Sequence, residues 1–96
     1  MNILLIGYRE ELDPVYQSIQ NKTYIRTVIE WSNQSGPKQV ETLIKKNYDA
    51  VVLAFKDREL EKAMEKILSE IYKVETARIL SFYWMRAGNR PIYDCG

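Results

Sequence analysis

The length and composition of the chain are those of one small globular domain. Its 96 residues, 46% hydrophobic and 28% charged, suffice for a modest hydrophobic core without stabilising disulfides or metal ions. The net charge of +1 disfavours a nucleic-acid binder that works by neutralising phosphates. The chain has no histidine and a single cysteine, Cys95, which excludes histidine-based nucleophilic catalysis, histidine metal ligands and an internal disulfide.

The two ends of the sequence suggest where the protein works. The apolar segment at residues 3–6 has neither the basic region nor the cleavage site of a signal peptide. No segment approaches the ~20 apolar residues that span a membrane. We therefore expect a cytoplasmic protein with no membrane partner. Residues 90–96 do not resemble a natural C-terminus. We therefore expect residues 1–96 to be the N-terminal domain of a longer protein.

The first half of the chain predicts two strands and one helix. Residues 3–6 are apolar on both faces, as in a central parallel strand covered by helices on both sides. Asp13 and Pro14 together predict a helix start, since aspartate caps helices and proline suits their first position. Residues 24–31 alternate between apolar and polar, which indicates a strand near the edge of a sheet.

The second half repeats the alternation of helix and strand. A helix is predicted from about residue 37 to residue 46, followed by an unbroken apolar strand at residues 50–55. Asp57 predicts the cap of a third helix, which carries an apolar stripe including Met64 on one side. The fourth strand is predicted at residues 77–82.

This order of elements predicts an α/β fold with a small, doubly wound parallel sheet of the Rossmann-like kind. Helices are needed as crossovers between parallel strands, and these crossovers are right-handed. The two strands that are apolar on both faces should be the inner pair, which gives the strand order 2-1-3-4. Ligands of such sheets bind where the order reverses, beyond the carboxyl ends of strands one and three.

The residues that follow these strands are the candidate binding site. They are Gly7, Tyr8 and Arg9 after strand one, Trp31, Ser32 and Asn33 after strand two, and Lys56, Asp57 and Arg58 after strand three. The basic side chains, with the free N–H groups at the start of the third helix, suggest an anion such as phosphate or carboxylate. Glu30 lies where an acidic residue binds an adenosine ribose in dinucleotide-binding domains.

Simpler roles account for the same residues. Gly7 suits a tight turn, Asp57 is explained by capping alone, and basic side chains in loops are commonly solvated. The dinucleotide fingerprint G-x-G-x-x-G is also incomplete, because Arg9 and Leu12 stand at its second and third glycine positions. Ordinary dinucleotide binding is therefore disfavoured, although a guanidinium can still bind one phosphate.

An aromatic cluster follows the fourth strand. Tyr83, Trp84 and Met85 are predicted to contact a following domain or a partner subunit, and their exposure favours a homodimer. A platform for stacking nucleobases is less favoured, because such platforms accompany a charged groove.

Two segments, NILLIG at residues 2–7 and YDAVVLA at residues 48–54, resemble parts of a family group. The group consists of Rossmann-like N-terminal domains of bacterial enzymes that make cell-surface polysaccharides, such as sugar acyltransferases and nucleotide-sugar dehydratases. The resemblance implies a glycine-rich first loop that binds a nucleotide-sugar or a dinucleotide such as NAD(P). Only Gly7 carries over from that loop.

Response-regulator receiver domains share the predicted layout. They need an acidic pair after strand one and a phosphoacceptor aspartate at the end of strand three. Gly7-Tyr8 and Ala54-Phe55 occupy those places, so an active receiver is excluded and only a degenerate one is compatible with the sequence.

These observations favour a domain that is not itself an enzyme. We expect it to recognise a nucleotide-type ligand, or to position a following catalytic domain, in surface-carbohydrate synthesis. The alternative is a protein-interaction or dimerisation module with no ligand.

Overall fold

A computed structural model describes residues 1–84 of the chain. Its strands are β1 (Ile3–Gly7), β2 (Ile25–Glu30), β3 (Ala50–Ala54) and β4 (Ile79–Ser81), and its helices are α1 (Arg9–Ser18), α2 (Gly36–Leu43) and α3 (Arg58–Glu70). Short 3-10 turns lead into β2 and β4. No helix in this part of the chain has the length and apolar character needed to cross a membrane.

The four strands form one sheet in the order β2-β1-β3-β4, and every neighbouring pair is parallel. The predicted fold class and strand order are therefore confirmed. All residues of β1 are buried, as its apolar sequence predicts, whereas residues of β2 alternate between more and less exposed positions at the sheet edge. Parallel strands of this kind are stable only when helices cover them, and helices lie on both faces here.

The predicted start of the first helix is wrong. α1 begins at Arg9, where the N–H groups of Glu11 and Leu12 donate to the carbonyl of Tyr8. Pro14 lies inside the helix, on its exposed side, where water can hydrate the carbonyl that proline leaves without a partner. The Asp13-Pro14 signal is overridden by packing, because an earlier start places Leu12 under the helix and against the sheet.

The start of α3 follows the prediction. The Asp57 side chain accepts hydrogen bonds from the N–H groups of Glu59 and Leu60, at 3.0 and 3.3 Å. These bonds satisfy two of the N–H groups that a helix leaves without partners at its first turn.

Two apolar clusters, one on each face, pack the helices against the sheet. The larger one lies under α2 and α3 and contains Leu4, Ile6, Ile29, Val40, Tyr48, Val51, Leu53, Phe55, Met64, Leu68 and Ile79. The smaller one lies under α1 and contains Ile3, Leu5, Leu12, Val15 and Ala54. We call these the two-helix face and the one-helix face. Met64 is 1% exposed and belongs to the core, as its place in the apolar stripe predicts.

Candidate functional site

The predicted site residues all lie at the carboxyl edge of the sheet. Gly7 ends β1, Tyr8 is the N-cap of α1 and Arg9 its first residue, Glu30 ends β2, and Lys56 and Asp57 join β3 to α3. The contacts of each residue show what it does in the folded chain.

Gly7 is required by the close approach of two strands. A Cβ atom at this position would lie 2.3 Å from the carbonyl oxygen of Ala54 and 2.8 Å from its Cβ. Both contacts are shorter than real Cβ contacts, and the first is to backbone, which cannot move aside cheaply. No glycine among residues 1–84 has a positive φ. The glycine therefore serves the packing of β1 on β3.

Arg9 and Glu30 are brought together at the end of β1 and β2. Arg9 Nε lies 3.8 Å from Glu30 Oε1, and the two side chains are 84% and 60% exposed. Ion pairs this exposed contribute little to stability. Both residues also line a cavity of about 130 Å³ between α1 and β2. That volume is below the roughly 300 Å³ at which sites for drug-sized ligands begin.

Tyr8 and Trp31 pack on the two-helix face. Their rings meet the ring of Phe55 edge-on, with centroids 5.7 and 6.0 Å apart. The Trp31 backbone N–H donates to the carbonyl of Gly7 at 2.8 Å. Gly36 allows α2 to begin against Trp31, since a Cβ there would lie 2.5 Å from the indole ring. Two residues of the predicted crevice are thus part of the core packing.

Glu11, which the sequence did not indicate as a site residue, connects β3 to the segment after β4. Its Oε1 accepts the backbone N–H of Lys56 at 2.7 Å, and its backbone carbonyl accepts the Tyr83 hydroxyl at 2.7 Å. Trp84 Nε1 donates to the carbonyl of Lys56 at 3.0 Å. Tyr83 therefore lies against the first turn of α1 and Trp84 against the loop after β3, at the edge of the sheet where the switch-point crevice was predicted.

The basic side chains beside this segment lie against aromatic rings. Lys56 Nζ is 5.6 Å from the centre of the Tyr83 ring, and Arg58 Cζ is 5.1 Å from the centre of the Trp84 ring. Such contacts are attractive because a ring face carries negative potential. Burial, with a smaller contribution from the Glu11 carboxylate, raises the pKa of Tyr83. Met85, the third member of the predicted aromatic cluster, lies outside the described residues.

A wide apolar groove opens on the one-helix face, between α1 and the strands β3 and β4. Its volume is about 320 Å³, whereas three other cavities have volumes of about 170, 160 and 130 Å³. The residues that line it are Ile3, Val15, Ser18, Ile19, Val52, Ile79, Leu80, Ser81, Phe82 and Trp84. Leu80 and Phe82 remain 43% and 37% exposed there. The sequence places these residues on a strand but does not show which of its faces lacks a covering helix.

The described part of the chain offers no metal site: no three His, Cys, Asp or Glu side chains within residues 1–84 are grouped to hold an ion. No protein-family model matches the chain, and neither a curated protein nor a solved structure does.

Proposed function

We propose that this domain is a non-catalytic interaction module, which positions a partner polypeptide through the groove beside α1. The observation that carries the proposal is the contrast between two places. At the switch-point edge, Glu11 accepts the Lys56 N–H and the Tyr83 hydroxyl, while the groove is open and lined almost wholly by apolar side chains, Trp84 among them. Apolar side chains that face water cost free energy, and a partner that covers them removes that cost.

The second candidate function is recognition of a nucleotide-type ligand, NAD(P) or a nucleotide-sugar, at Arg9 and Lys56. It is favoured by the first turn of α1, whose N-cap Tyr8 makes no side-chain hydrogen bond. Two acidic side chains, Glu10 and Glu11, lie in that same turn and oppose a pyrophosphate by charge. The interaction module is therefore the better supported function.

The resemblance to N-terminal domains of polysaccharide enzymes suggests one kind of partner, a catalytic module in the same pathway. The domain would then hold that module in place and take no part in the chemistry. This assignment rests on the resemblance, since fold does not fix function.

A dye-binding experiment tests the groove. The fluorescence of 8-anilinonaphthalene-1-sulfonate should rise with native protein, because the dye is an apolar anion and the groove is apolar with basic neighbours. Leu80→Glu places a charge in the groove and should abolish the rise. Val28→Glu is the matched control, since Val28 is an edge-strand residue with 44% exposure, against 43% for Leu80, and lies outside the groove.

A nucleotide screen tests the competing function. The melting temperature of the full chain is measured with NAD⁺, UDP-glucose and coenzyme A, and repeated for Arg9→Ala. We expect no shift with any of them. A rise that Arg9→Ala removes, together with no dye binding at the groove, would overturn the proposal in favour of the nucleotide site.

A further inference from the structure

The geometry points to a specific kind of partner: we propose that the groove binds an amphipathic helix of about three turns with acidic residues at its flanks. This inference rests on the proposed function and adds the shape and charge of the occupant. It follows from three properties of the groove, namely its width, its length and the charges beside it.

The sheet is wide enough for one helix beside α1. Four strands spaced about 4.8 Å apart form a sheet roughly 15–20 Å wide, and a helix with its side chains is about 10–12 Å across. Two helices, α2 and α3, cover the two-helix face of this sheet. The other face has only α1 among the described elements. The groove therefore lies where a second helix would give this face two covering helices, as the opposite face already has.

The length of the groove follows from the residues at its ends. Ile3 and Ile19 lie at the amino edge of the sheet, and Phe82 and Trp84 lie at the carboxyl edge. Five strand residues at about 3.3 Å each give roughly 16 Å, which equals about 11 helical residues at 1.5 Å each. Apolar side chains at helical spacing on one face, i, i+3, i+4 and i+7, would fill such a groove.

Basic side chains adjoin both ends of the groove. Lys56 and Arg58 lie beside Trp84 at the carboxyl edge, and Lys22 donates to the carbonyl of Ile19 at the amino edge. Among the carboxylates near the carboxyl edge, Glu11 is engaged with the Lys56 N–H and Asp57 with the first turn of α3, and the exposed Glu10 is not among the residues that line the groove. Acidic flanks on the partner complement this distribution of charge.

A second copy of the chain fits less well as the occupant. A second copy presenting its α1 would bring the exposed side chains of Glu10 and Gln17 to apolar surface, where carboxylate and amide groups lose hydration. The helix is therefore expected from another polypeptide or domain.

A fusion of the full chain to a designed helix tests the inference. A twelve-residue helix with leucines on one face and glutamates at its flanks is joined to Met1 by a flexible Gly-Ser linker, because Met1 is exposed and lies near Ile3 of the groove. Tethering gives an effective concentration in the mM range. We expect the melting temperature to rise by about 4–8 °C over a fusion whose leucines are replaced by serine.

Three variants of the fusion test separately whether the helix lies in the groove and whether its acidic flanks matter. Leu80→Glu should remove the rise and Val28→Glu should keep it, with each unfused variant melting within about 2 °C of the other because both side chains are similarly exposed. Replacing the flanking glutamates by lysine should reduce the rise by more than half at low salt. The difference between glutamate and lysine flanks should shrink at ~1 M salt, where charges are screened.

The outcomes that overturn the inference are distinct from those that overturn the proposed function. Absence of a rise, an equal rise with lysine flanks, or a rise that survives Leu80→Glu overturns the acidic helix as occupant. A dimer of the unfused chain in sedimentation, dissociated by Leu80→Glu and not by Val28→Glu, identifies a second copy as the occupant instead. In each case the dye and nucleotide experiments still decide whether the groove is an interaction surface.

Discussion

The two faces of the sheet differ in how completely helices cover them. On the two-helix face, Phe55, Leu53 and Leu68 are fully buried under α2 and α3. On the one-helix face, Val52 is only partly buried and Leu80 remains 43% exposed beside α1. The closed face buries the larger apolar cluster, and the open face retains the apolar surface at which we propose that a partner binds.

The largest expected effect is the loss of the aromatic centre of the two-helix face. Phe55→Ala removes a ring that is 0% exposed and meets the rings of Tyr8 and Trp31. We expect the free energy of unfolding to fall by about 3–5 kcal/mol in urea denaturation. Leu12→Ala, on the one-helix face, should cost less, about 2–3 kcal/mol. Equal losses would mean that the two faces stabilise the domain alike.

Gly7→Ala tests the contact between the two central strands that both faces share. The new methyl group would lie 2.3 Å from the Ala54 carbonyl oxygen, so β1 and β3 must separate. We expect a loss of about 1–3 kcal/mol, typical of overpacking, measured by chemical denaturation. If Gly7 served only a turn, alanine at an ordinary φ would be tolerated and the stability would stay unchanged or rise.

Adjacent residues of β3 allow a matched test of the two faces. Val51 is 2% exposed on the two-helix face, whereas Val52 is partly buried beside the groove. Val51→Thr buries a hydroxyl of nearly unchanged shape and should cost about 1–3 kcal/mol. Val52→Thr should cost under ~1 kcal/mol, because water reaches the groove. The reverse order, found by urea denaturation, would show that the groove is closed in solution.

The smallest expected effect concerns the segment that crosses the carboxyl edge. Tyr83→Phe removes the hydroxyl that donates to Glu11, at a cost of about 0.5–1.5 kcal/mol near neutral pH. The pKa of Tyr83 is raised in the folded protein. The stabilisation that this residue gives is therefore fully present below the pKa of an unperturbed tyrosine, about 10. It is lost as the pH rises from there through the folded-state pKa.

The measurement is the urea midpoint of both proteins between about pH 7 and pH 11. The parent should lose stability more steeply above pH 10 than Tyr83→Phe does. Parallel curves would show that the Tyr83 phenol ionises as easily in the folded chain as in the unfolded one.

Sequence reasoning predicted the fold because two strands are apolar on both faces. That property requires helices on both sides, and it predicts residues 3–6 and 50–55 as the inner pair of strands. The start of α1 was missed because Asp13-Pro14 is a strong local signal, whereas the true start depends on what Leu12 packs against. Local propensity and tertiary packing disagreed there, and packing prevailed.

The candidate site was harder to predict for a similar reason. Position at the carboxyl edge follows from topology, so Gly7, Arg9 and Lys56 could be placed there. The hydrogen bond from Tyr83 to Glu11 joins residues 72 positions apart, and no local sequence pattern predicts it. The groove likewise depends on which face of β3 and β4 lacks a helix, which only the assembled sheet reveals.

The two tryptophans of the chain lie on opposite sides of the sheet, Trp31 against Phe55 and Trp84 in the lining of the groove. The protein therefore carries one built-in fluorophore for each side. In a Trp31→Phe variant the emission would come from Trp84 alone, and its wavelength would register dehydration of the groove as a partner arrives. A Trp84→Phe variant would follow the opposite side, so the two signals would tell docking apart from unfolding without any added label.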